Sequence, residues 1–161
     1  MSDGQVAHGG PQPHPIRSGL GVLAGLVLIG LLNRILELTL VMATAPSPPQ
    51  DMAAYLAVRN QPGILVTTLG AHTGISVIAG YVTAKIALAY ERQHAVILAV
   101  LQMLLFIGAF TAADRALPPQ WTQWSLLAVT VPAIVGGASI RARARTLDPM
   151  SGVRPRPEEH A

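Results

Sequence analysis

The 161-residue chain has no cysteine, which excludes disulfides, thiolate metal ligands and thiol catalysis and leaves its redox compartment open. It is short of charge: Asp, Glu, Lys and Arg make up 12% of the residues, against roughly one quarter in soluble domains. Aromatic residues are also scarce at 4%, so the 51% hydrophobic content is mostly aliphatic, as lipid-facing helices allow. The GxxxxGK[ST] and GxGxxG phosphate motifs, the zinc motif HExxH and the nucleophile elbow GxSxG do not occur. No polar stretch is long enough to fold as a catalytic domain. The expectation is a protein that is not an enzyme and has neither cofactor nor metal centre.

What is present is apolar and comes in long runs, with a mean hydropathy of +0.46. The most informative run is Leu20–Met42, which carries Asn33, Arg34 and Glu37 well inside it. At about 1.5 Å per helical residue it spans the roughly 30 Å hydrocarbon core. Its fourteen Leu, Ile and Val residues favour insertion, by roughly 4–8 kcal/mol together, while each central charge costs about 2.5–3.5. The sum is near balance, so the charges need partners elsewhere in the chain. A secretory signal ending at Ala43-Thr44-Ala45 is the alternative. Against it, the run is too long for a signal, is broken by Arg34 and Glu37, and follows an 18-residue tail.

Three further crossings follow, and the fold class expected is all-α: a polytopic membrane protein with four transmembrane helices in an antiparallel bundle. The helices are placed at about 20–43, 63–90, 94–113 and 121–140, within a transmembrane domain spanning 19–141. Disordered tails are expected at 1–18, rich in Gly, Pro and Gln, and at 142–161, which is basic. His8 and His14 belong to the first tail and read as solvated rather than metal-binding. Between the first two crossings, Asp51–Val58 reads as a short helix whose Met52, Tyr55 and Leu56 share one face suited to the membrane surface. The tight link at Glu91–Gln93 makes crossings two and three antiparallel neighbours. Trp121 and Trp124 anchor the start of the fourth crossing, and Pro132 lies in its middle.

The formal charge is +3 with a pI near 10.0. The arginines sit at the ends of apolar runs, so this basicity points to topology and not to nucleic acid. With both termini cytoplasmic, Arg17, Lys85, Arg92, Arg141, Arg143, Arg145, Arg154 and Arg156 lie inside, and only Arg59 and Arg115 lie outside. That asymmetry predicts a multi-pass protein of the inner membrane, with the lipid bilayer as its first partner. Gly80 precedes Lys85 and Gly136 precedes Arg141 by the same interval. Either a duplicated hairpin or two similar cytoplasmic helix ends explains this echo.

The polar residues of the first two crossings form the candidate site. Gly30, Asn33, Arg34 and Glu37 fall within one arc of the first helix, and Thr68, His72, Ser76 and Thr83 on one face of the second. Counted from the helix ends, Asn33, Arg34, Glu37, His72, Ser76 and Thr130 reach similar depths, so one layer in the outer half of the bilayer is expected to hold all six. Two readings compete: a neutralised network that fixes helix register, or a protonatable site on a solute path. Haem is disfavoured, because the crossings contain a single internal histidine. Gly70, Gly74, Gly80, Gly136 and Gly137 mark expected close helix approaches, within the bundle or between subunits.

Ala79-Gly80-Tyr81, Ala84-Lys85-Ile86-Ala87, His94 and the stretch from Pro132 to Gly137 resemble a family of small bacterial four-helix integral membrane proteins. The resemblance spans about residues 63–145 and implies the four-helix fold, but brings no known activity with it. The function expected is a small accessory or interaction protein, acting with a homo-oligomeric or other membrane protein partner. The alternative is a small oligomeric ion-coupled transporter that uses the Glu/His/Arg cluster within the membrane.

Overall fold

A computed structural model describes residues 15–87, 90–112 and 117–147. These residues form five helices and no strand: α1 (Pro15–Thr44), α2 (Met52–Arg59), α3 (Pro62–Ala87), α4 (Glu91–Ala112) and α5 (Gln120–Thr146). All except α2 are long and apolar enough to cross a membrane. His8, His14, Arg115, Arg154 and Arg156 lie outside the described residues.

The helix ends follow local chemistry. α1 and α3 both open on a proline, which has no N–H to leave unsatisfied in a first turn. α1 therefore starts at Pro15, inside the stretch expected to be tail. α2 is capped by Asp51, whose Oδ1 accepts from the Ala54 N–H at 2.7 Å. α5 continues six residues beyond the expected Ile140, through alternating Arg and Ala, both strong helix formers. There Arg145 reaches Glu91 in the first turn of α4 at 3.5 Å, where an acid also complements the helix dipole.

α3 is the hub. It packs most extensively against α5 and α1, while α4 touches α1, α3 and α5. At one end of the bundle the helices meet at glycines. A Cβ on Gly80 would strike the backbone carbonyl of Ile134, and one on Gly137 that of Val77. Gly21 lies against Thr83 and Ile86, and Gly25 against Thr83 and Leu98. The Thr83 hydroxyl donates to the Gly21 carbonyl at 3.1 Å, a further α1–α3 tie. Ile29, Leu98 and Ile134 fill the core between these contacts. Gly70, Gly74 and Gly136 behave differently, having no heavy atom near the Cβ position; Gly70 and Gly74 are exposed. Of the five glycines expected at helix approaches, only Gly80 and Gly137 serve the packing among the described residues.

Large apolar side chains line the outside of the helices, including Leu20, Leu23, Val27, Leu31, Ile35 and Leu38 along α1. A stripe of that length exceeds what a water-soluble monomer exposes.

Candidate functional site

Away from the glycine contacts the helices part around a cavity of about 250 Å³. Every helix contributes to its wall. α1 supplies Ile29, Gly30, Asn33 and Glu37, and α2 supplies Arg59. α3 supplies Leu65, Thr68, Leu69 and His72; α4 supplies Gln102, Phe106, Ala109 and Phe110; and Pro118, Thr122 and Leu126 complete it.

Glu37 is the knot of the charged part. Its Oε1 accepts from the Tyr55 phenol at 2.8 Å, from Arg59 Nε at 3.0 Å and from Arg34 Nη1 at 3.3 Å. Tyr55 and Arg59 are four residues apart and so share one face of α2, while Arg34 sits one turn before Glu37 on α1. No residue of α2 is buried, so these two side chains are its principal polar tie to the bundle. Burial, then the hydrogen bond and charge of Glu37, raise the Tyr55 phenol above its usual 10.0; Arg34 and Arg59 oppose the shift. A raised folded-state value means that the Tyr55 tie stabilises fully below the unfolded value. It is lost as pH climbs through the folded one. Tyr55→Phe is expected to cost about 1 kcal/mol at neutral pH, for one hydrogen bond to a charged acceptor in a partly wet setting. The same change should flatten the alkaline loss of stability, which pH-dependent thermal unfolding reads directly.

The expected placement of Arg34 needs correction. Its side chain is 76% exposed, whereas Arg59 is 24% and Glu37 13% exposed. Arg34 follows Asn33 by one residue, which turns it about 100° around the helix and out of the inward arc. From this exposed position its guanidinium still reaches Glu37, at 3.3 Å. The inner counter-ion is Arg59, which sequence reasoning assigned to an outer loop. The signal was available in outline: an acid inside an apolar run needs a cation, and Arg59 is the first one after α1.

His72 is buried, and its hydrogen-bond geometry fixes the ring. Nε2 lies 3.0 Å from Thr130 Oγ1, and that hydroxyl gives its only proton to the Leu126 carbonyl at 2.5 Å. Thr130 therefore accepts, and His72 carries its proton on Nε2. Ser76 Oγ, at 3.3 Å from the same nitrogen, is a second and longer acceptor. Of the expected layer, Asn33, Glu37 and His72 line one cavity, Ser76 and Thr130 hold the His72 ring, and Arg34 stands outside.

The rest of the wall mixes aromatic carbon with uncommitted polar atoms. Phe106 lies 5.4 Å from the His72 ring, and Phe106 and Phe110 stack at 5.9 Å and 7°. The Asn33 amide donates to the Ile29 carbonyl at 2.8 Å, leaving its buried Oδ1 without a partner among the described residues. Thr122 Oγ1 is also buried and has no partner among the described residues. Gln102 is 6% exposed, and its amide makes no hydrogen bond among the described residues. The two fully buried atoms, Asn33 Oδ1 and Thr122 Oγ1, cost about 1–3 kcal/mol each if nothing satisfies them. Gln102 was visible in the sequence as a lone amide in an apolar run. Thr122, Phe106 and Phe110 gave no signal, since their meeting depends on how α4 and α5 are rotated.

The sequence matches no family model, and no curated protein or solved structure matches it either.

Proposed function

We propose that this chain is a multi-pass protein of the bacterial inner membrane that works as a small oligomeric ion-coupled carrier. Its four long helices cross as an antiparallel bundle with both termini in the cytoplasm. Support for the topology comes from charge. Lys85, Arg92, Arg141, Arg143 and Arg145 gather where α3 and α5 end and α4 begins, as the positive-inside bias requires of a cytoplasmic end. The exposed Trp121 and Trp124 at the start of α5 suit the opposite interface.

One observation carries the carrier reading: a cavity within the bundle is bordered by an acid, Glu37, that also fastens the helix beside it. Ionisable groups in such a setting commonly mark solute or proton paths. A proton on Glu37 removes the charge that Arg34 and Arg59 oppose, which weakens the hold on α2 and opens the cavity. Solute release and proton uptake are thereby linked at one carboxylate. The test is solute flux into proteoliposomes under an imposed pH gradient. Glu37→Gln is expected to abolish the gradient-driven component while circular dichroism retains its helical signal. Flux in that variant equal to the parent's overturns the reading, as does a parent protein with no flux at all.

A second reading, the accessory or interaction protein, is favoured by Gly70 and Gly74, which leave a notch on α3 that none of the described residues fills. Small residues four apart on an exposed face allow a second helix to approach closely. Under this reading Gly74→Leu disrupts an oligomer or complex seen by cross-linking in native membranes, and no flux exists to lose.

A further inference from the structure

We infer that the cavity takes an uncharged, ring-bearing solute of roughly single-ring size whose polar head is hydrogen-bonded by Gln102. This rests on the carrier reading and specifies the chemistry of its cargo. The first argument is charge. Glu37 and Arg59 are the charged side chains among the described residues of the cavity wall, and they face each other at 3.0 Å. The third member of the cluster, Arg34, stands outside the wall and is 76% exposed, so water screens its charge. An ionic head in the cavity therefore meets a pair whose charges offset each other, and an ion brought from water without its own counter-ion suffers a desolvation penalty of several kcal/mol. A neutral head avoids that penalty.

The second argument is the wall itself. Gln102 is more than nine-tenths buried, lines the cavity and has no hydrogen-bond partner among the described residues. Its amide offers both donor and acceptor, so it matches a neutral head carrying both, such as a carboxamide. His72 does not compete for that head through Nε2, which Thr130 and Ser76 already occupy. The near-parallel rings of Phe106 and Phe110, with the His72 ring beside them, form an aromatic surface on which a flat ring packs. Volume agrees: an apolar cavity of about 150 Å³ accepts benzene, and about 250 Å³ leaves room for a ring and a small head.

Three probes with one ring and different heads test this: benzamide, benzoate and benzylammonium, titrated into the full-length protein in nanodiscs. Benzamide is expected to bind saturably and at least tenfold more tightly than either ion. Gln102→Leu should weaken benzamide at least tenfold while preserving the fold, because an apolar group of similar volume replaces an unpaired amide. Gln102→Glu should shift the preference to benzylammonium, a change that a purely structural glutamine would not produce. Tighter binding of benzoate or benzylammonium by the parent overturns the neutral-cargo inference and leaves the solute site standing. Saturable binding of none of the three means a cavity holding water alone, and overturns both. Benzamide binding untouched by Gln102→Leu removes Gln102 from the site.

Discussion

Gly137→Val is expected to prevent the native packing of α3 against α5, with a loss of stability above about 3 kcal/mol. The added Cβ meets the Val77 carbonyl and the Tyr81 backbone nitrogen, 2.9 Å away. Where side chains can shift, overpacking costs about 1–3 kcal/mol. Here the obstacle is the main chain of α3, which cannot rotate aside, so the helices must separate. Separation also removes the Gly80 contact with Ile134 and exposes the core around Ile134. Denaturant titration in micelles, read by near-ultraviolet circular dichroism, measures the effect. Gly136→Ala is the control one residue away: open space surrounds its Cβ position, so stability should change by less than about 1 kcal/mol.

The second large effect is expected from Glu37→Ala, which takes the Glu37 carboxylate away from the Arg59 guanidinium. Breaking a fully buried pair costs about 3–5 kcal/mol. Arg59 is 24% exposed, so water recovers part of this and about 2 kcal/mol is expected. Arg34→Ala removes a contact to the same oxygen from an exposed position and should cost less than about 1 kcal/mol. The decisive comparison is a double-mutant cycle. Glu37→Leu with Arg59→Met replaces the whole pair by apolar groups, an exchange that is often neutral or stabilising. The double variant should therefore lie closer to the parent than Glu37→Leu alone, with a coupling above about 0.5 kcal/mol. Limited proteolysis between Thr44 and Pro62 reports the same event locally, since α2 loses its fastening in the single variants.

The sequence reveals most where one residue type acts alone. Hydropathy locates the four long helices, since length and apolar content decide them without regard to neighbours. Asp51 announces the start of α2 because an N-cap is a local contact. His72 and Thr130 could be set at one depth by counting turns, and they meet at 3.0 Å. Depth alone does not fix rotation, and this is where the reading of Arg34 failed. Asn33 and Arg34 are adjacent in sequence and equal in depth, yet one lines the cavity and the other is exposed. The partnership of Glu37 with Arg59 was hidden for a different reason. It requires the loop after α1 to fold back, and its prolines mark a turn without saying where the turn leads. The glycines repeat the lesson: Gly70-xxx-Gly74 has the familiar packing spacing and no contact among the described residues, whereas Gly80 and Gly137, in the equally small-spaced Ser76-xxx-Gly80-xxx-Ala84 and Ala133-xxx-Gly137, carry the α3–α5 crossing.

The uneven packing along the bundle has a mechanical corollary. Where glycine brings main chain against main chain, the helices have no slack and act as a pivot, so any breathing is confined to the half that α2 covers. Under the carrier proposal, a lone protomer is then a purse with one mouth, from which cargo leaves on the side by which it came. On that proposal, passage to the opposite face of the bilayer falls to the seam between neighbouring copies.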